Sequence, residues 1–125
     1  MKLQLGFLVL QHRFDQLSKG GDALERLNAI VDWEMFRPDL ESIERKSAAG
    51  RKPTDCVRMF KMLVLQNLYG LSDDALEYQV TDRLTFMRFL GIDLGGAVPD
   101  AKTVWLFREQ LREAKVFERL FERFH

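Results

Sequence analysis

The chain has 125 residues, 46% of them hydrophobic and ten of them Phe, enough to build one packed domain. Lys plus Arg and Asp plus Glu are 19 each, so the net charge is zero; this excludes a strongly basic polyanion binder but leaves room for a local basic face. The single cysteine excludes an internal disulfide, and no uncharged apolar run approaches the roughly 20 residues of a membrane span.

Residues 1–21 read as an apolar lead-in. "LQLGFLVLQ" has one lysine before it and no small-residue cleavage site, so the flanks of a secretory signal are missing. Together with the lone thiol this points to a reducing, cytoplasmic setting with no membrane partner. From residue 22 to 125 the apolar spacing is helical and never alternating, and Gly and Pro mark the breaks. The expected fold is therefore all-α: a compact multi-helix domain with a linker at 47–53. Neither half is a charged tail, since residues 1–50 hold 7 basic and 8 acidic side chains and residues 51–125 hold 12 and 11.

Asp22 is placed to cap a first helix, "ALERLNAIV", with Leu24, Leu27, Ile30 and Val31 on one stripe. Asp32 is placed to cap "WEMFRPDLESIERK", where Trp33, Phe36, Leu40 and Ile43 recur at helical spacing and Pro38 should bend or restart the helix. After the linker, Thr54 or Asp55 caps a long helix to Tyr69. Its only polar residues are Arg58, Lys61, Gln66 and Asn67, so it should lie at the centre, packed on more than one side, with Gly70 as its stop. Ser72 caps "DDALEYQVT", Asp82 caps "RLTFMRFL" up to Gly91, and Asp100 caps "AKTVWLFREQLR". A last segment, "AKVFERLFERFH", carries Val116, Phe117, Leu120, Phe121 and Phe124 on one face that a partner would have to cover.

Enzyme and cofactor signatures are thin. There is no phosphate loop, dinucleotide glycine pattern or Cys-x-x-Cys, and His12 and His125 lack zinc spacing, so no catalytic residue, metal site or cofactor is assigned. Cys56 lies on the core stripe and reads as a structural thiol. Asp73 and Asp74 read as helix-start carboxylates on a solvated face, in preference to metal ligands. The helix after Pro99 is more informative. With Val104 at zero and about 100° per residue, Phe107 and Leu111 return to the buried side. Lys102, Trp105, Glu109 and Arg112 point away, and Arg108 flanks the stripe. Long cations and an outward Trp suit a recognition helix of a helix-turn-helix, while an ordinary amphipathic helix stays open as the plainer reading.

The motifs run in a specific order. Gly50-Arg51-Lys52-Pro53 is followed by Leu65-Gln66, Leu68-Tyr69 and Leu71-Ser72-Asp73. Then come Asp82-Arg83-Leu84, Phe86 and Arg88-Phe89-Leu90-Gly91, and last Val98-Pro99-Asp100 with Thr103 and Phe107-Arg108. With the upstream "LNAIVDWEMFRPDLE", this series resembles the N-terminal domain of bacterial DDE transposases of the insertion sequence 5 (InsH-type) group over residues 24–124. The resemblance implies a helical DNA-binding region that engages double-stranded DNA at terminal inverted repeats. It also implies a separate RNase H-like domain holding metal ions through three carboxylates; no residue here matches those positions, so the chain is expected not to cut DNA. On that basis Arg51 and Lys52 are expected on phosphate, with Lys102, Thr103, Trp105, Arg108 and Arg112 contributed by the helix after Asp100 and Arg83 and Arg88 secondary. The rival expectation is a self-association module that pairs with another copy or with full-length transposase and inhibits it.

Overall fold

The structure, a computed structural model, describes residue 12 and residues 23–46, 54–93 and 95–113. In chain order these form α1 (Ala23–Ile30), a 3-10 turn (Trp33–Phe36), α2 (Arg37–Lys46), α3 (Cys56–Tyr69), α4 (Asp73–Asp82), α5 (Leu84–Leu90) and α6 (Ala101–Glu113). No strand occurs among the described residues, and the domain is all-α as the spacing requires.

Most helix ends sit where side-chain chemistry puts them. Asp55 accepts the Arg58 N–H at 3.2 Å, Ser72 Oγ the Ala75 N–H at 3.1 Å, and Asp100 Oδ1 the Thr103 N–H at 2.8 Å. Each bond satisfies a donor that a helix start leaves without a partner in its own turn. Gly70 and Gly91, at φ 62° and 74°, turn the chain left-handed and stop α3 and α5.

Of the two outcomes expected at Pro38, the helix restarts: the 3-10 turn ends at Phe36 and Pro38 takes the first turn of α2, where its missing N–H costs nothing. Two helix starts differ from the sequence expectation. Asp32 stands at the cap position without a side-chain bond. Asp82 does not cap α5 but is the last residue of α4, because the Arg83 N–H still reaches Gln79 O at 2.9 Å. Arg83 alone joins the two helices, ending one and starting the next. Ile30, expected on the buried stripe, is 57% exposed; α1 ends there and meets the core through Ala23, Leu24 and Leu27. The Asp22 cap, the 47–53 linker and the 116–124 stripe lie outside the described residues.

The central position of α3 follows from its composition. Phe60, Met62, Leu63, Val64 and Leu65 are wholly buried, and the helix packs against the 3-10 turn, α2, α4, α5 and α6. Trp33 stands edge-on to Phe60 and Phe89, with ring centroids 6.2 and 5.5 Å apart. Cys56 is buried among these apolar groups.

The few polar residues of α3 are structural ties. Arg58 Nε and Nη2 donate to Leu90 O and Gly91 O at 3.0 and 2.9 Å. Lys61 Nζ donates to Phe89 O at 2.9 Å and Asn28 Oδ1 at 2.8 Å. Together the two cations hold the C-terminal carbonyls of α5, the negative end of that helix dipole. The Lys61 ammonium also lies 5.1 Å from the ring centroids of Trp33 and Phe89. Burial is the main reason its pKa falls below the ordinary lysine value. At the N-terminal end of α3, Arg37 bridges Glu34 and Asp55, which ties α2 to the α3 cap and lowers both carboxyl pKa values.

Candidate nucleic-acid interface

The helix expected to meet DNA is α6, and it presents two different sides. Val104, Phe107 and Leu111 are buried, as the angular spacing requires. Lys102 is exposed, Trp105 is 48% exposed, and Leu106 beside it is 45% exposed. Arg112 is also exposed, with its Nη1 3.4 Å from Glu109 Oε1. The structure therefore brings Lys102, Trp105 and Arg112 onto the outward part of one helix.

Arg108 is turned inward. Its Nη1 and Nη2 meet Asp73 Oδ1 and Oδ2 at 2.8 and 2.9 Å, and Nη1 also donates to Gln66 Oε1 at 3.0 Å. Gln66 Nε2 in turn donates to Asp73 Oδ1 at 2.6 Å. The two ion-pair partners are only 20% and 23% exposed in their side chains. Hydrogen bonding to Arg108 is the chief cause that holds the Asp73 carboxyl below the usual carboxylate range, and the same bond raises the pKa of the guanidinium. Asp73 is thus not the solvated helix-start carboxylate that the sequence suggests.

Thr103 is half-buried and engaged with Asp100. Its hydroxyl first, and its N–H second, keep the Asp100 carboxyl below its ordinary pKa. A second carboxylate, Glu77 from α4, accepts the Ala101 N–H at 2.8 Å. The start of α6 is therefore ringed by acids. Its outward residues balance in sign, Lys102 and Arg112 against Glu109 and Glu113. Any phosphate contact here must be local, because the outward side carries no excess of positive charge once Arg108 is paired with Asp73.

The other candidates sit elsewhere. Arg83 is exposed at the α4–α5 joint, its guanidinium carbon 5.3 Å from the Phe86 ring centroid. Arg88 is exposed and lines a cleft of about 160 Å³ between α1 and α5 with Leu24, Glu25, Asn28, Thr85 and Phe89. Arg51 and Lys52 lie outside the described residues. The sequence reading missed the α3 cations that hold α5 and the Glu77 bond to α6. Their only sequence signal was a polar residue on an otherwise apolar or amphipathic helix.

The principal neighbour of α6 is α4, and the chain reaches α6 from α5 through the connection Gly91 to Asp100. That connection is longer than the three- or four-residue turn of a compact helix-turn-helix. Among the described residues there is no group of three or more His, Cys, Asp or Glu that could hold a metal ion. None of the described helices is long and apolar enough to cross a membrane. No solved structure matches the chain. One family does match: the transposase domain DUF772 covers residues 12–110, from the lead-in through most of α6. A match of that extent takes in α1 to α5 whole and every buried residue of α6 but Leu111, so the chain belongs to this transposase domain family.

Proposed function

We propose that this transposase domain is the DNA-recognition front end of an insertion sequence 5 (InsH-type) element. In this reading it binds the element's terminal inverted repeats during transposition and leaves strand cleavage to a separate RNase H-like domain. The observation that carries the reading is the outward part of α6. Trp105 stands nearly half exposed, flanked by Lys102 and Arg112, on a helix whose opposite stripe is fixed in the core. An indole there packs against sugars, and long cations beside it reach phosphate or guanine edges. In this reading α6 is the recognition helix and α4 its support. Arg83, Arg88, Arg51 and Lys52 supply further phosphate contacts in this reading.

A gel shift with a duplex carrying the terminal repeat of the source element, against a scrambled duplex, tests it. Affinity should fall with salt by about 0.9 in log–log slope for each phosphate neutralised, a modest slope for so few cations. Equal affinity for both duplexes, or a shift insensitive to salt, refutes the proposal.

One observation favours a second reading, a self-association module that forms mixed assemblies with full-length transposase and inhibits it. Trp105 and Leu106 are adjacent on α6 and both nearly half exposed, a pair of apolar groups suited to a protein partner. Sedimentation of the DNA-free chain that stays monomeric across a concentration series counts against it.

A further inference from the structure

Polar contacts join α4 and α6 at two points, and these points set the relative direction of the helices. Near the start of α4, Asp73 holds Arg108 in the second half of α6. One turn further along α4, Glu77 accepts the Ala101 N–H at the beginning of α6. The order reverses from one helix to the other, so the two run antiparallel. Asp73 and Glu77 share one face of α4, four residues apart; Ala101 and Arg108 share one face of α6, seven residues apart. The unequal rises, about 6 Å against about 10.5 Å, are taken up by the reach of the Arg108 side chain.

The apolar contacts between these helices do not by themselves choose one rotation. Leu76 and Val80 on α4, and Val104, Phe107 and Leu111 on α6, are buried, but apolar attraction is non-directional. A bidentate guanidinium–carboxylate pair is directional and loses its geometry when either partner turns. Gln66 stiffens the pair from α3, since its amide donates to the acid and its carbonyl accepts from the base. At about 100° per residue, Trp105 and Arg112 lie within about 60° of Arg108 around α6. A one-residue slip of α6 would therefore redirect both.

We propose that Asp73 and Gln66 are positioning residues for the DNA-facing side of α6, and that Arg108 serves as the clamp they hold and not as a DNA contact. The functional consequence rests on the DNA-recognition reading; the clamp itself does not. Asp73 lies on α4 and touches no residue proposed to meet DNA except through Arg108. Its removal still misplaces Trp105, Lys102 and Arg112.

The experiment uses Asp73→Asn, Arg108→Lys, Arg108→Gln and Lys102→Gln in the full chain, with labelled terminal-repeat duplex as the probe. Loss of the clamp should weaken specific binding roughly two- to thirtyfold and leave the salt slope unchanged. Lys102→Gln should instead lower the slope by about 1. Arg108→Lys is decisive: a phosphate contact tolerates it, whereas a bidentate clamp does not, so it should behave like Arg108→Gln. A DNA-free arm reads iodide quenching of Trp105, Trp33 being buried. Both Asp73→Asn and Arg108→Lys should change the quenching while the far-ultraviolet helix signal persists; Arg108→Lys carries the test if Asp73→Asn fails to fold. Unchanged quenching, Asp73→Asn binding as tightly as the parent, or a slope reduced by about 1 in Arg108→Gln overturns the proposal. If the parent chain gives no sequence-dependent shift, the DNA-recognition reading fails alone and the quenching still decides the clamp.

Discussion

Replacing Gly91 with Ala isolates a single physical cost. Gly91 sits at φ 74°, and a Cβ built there meets only Arg58 Nη2, at 3.9 Å, an ordinary contact. No atom has to move, so the penalty is conformational: an L side chain in the left-handed region costs about 1–2 kcal/mol. Part of this is offset because Ala restricts the unfolded chain more than Gly does, by about 0.4–1 kcal/mol. The net loss should be about 1 kcal/mol, a few degrees in Tm for a domain of this size. The Arg58 bonds to Leu90 O and Gly91 O should persist, since neither carbonyl depends on the substituent. Urea unfolding followed by tryptophan fluorescence measures the change, and the denaturant slope should be unaltered. Gly70→Ala, at φ 62° with nothing within 4 Å of its Cβ, should lose a similar amount. Gly91→Asn should lose less, because Asn tolerates this region. If Asn and Ala are equally destabilising, the backbone argument is refuted; a loss above about 3 kcal/mol would show a packing role that open space at the Cβ cannot explain.

Leu63→Ala, at a wholly buried site on α3, should cost about 3–5 kcal/mol in the same assay. Asp55→Ala removes both the α3 cap and the Arg37 partner and should cost about 1 kcal/mol, most of it from the cap because the ion pair is solvent-exposed. For Lys61 the folded pKa lies below the unfolded one, so the unfolded state binds more protons between them and folding gains stability as pH rises through that window. Lys61→Met should flatten this alkaline rise in a pH series of urea melts. Cys56 should react with a thiol reagent only as fast as the domain opens, since it is 3% exposed. Immediate labelling of the folded chain would contradict its burial.

Local chemistry was legible in the sequence, and chemistry between distant residues was not. Asp55, Ser72, Asp100, Gly70 and Gly91 mark helix ends through groups no more than four residues away, so the caps could be read directly. The outward position of Trp105 and the inward one of Val104, Phe107 and Leu111 follow from angular spacing alone. Arg108 flanked the buried stripe, and its angle does not say whether it turns to solvent or to a carboxylate; Asp73 lies 35 residues away in the chain. The Arg58 and Lys61 bonds to α5 span 28 to 33 residues and exist only once α5 lies against α3. Asp82 looked like a cap because Asp commonly is one, but α4 runs through it and the chain turns in a single residue. The proposed DNA contacts share this difficulty, since a cation's role depends on the carboxylate or carbonyl that folding brings to it.

That single-residue joint has a mechanical consequence. Arg83, at φ −107° and ψ 121°, is all that separates α4 from α5, so the two helices form a bent lever with no slack at its elbow. One arm, α5, is gripped at its far end by Arg58 and Lys61; the other, α4, carries the acids that hold α6. With one residue at the joint and polar ties on both arms, α4 cannot turn about its axis without straining the bonds that hold α5, and α5 cannot turn without straining those that hold α6.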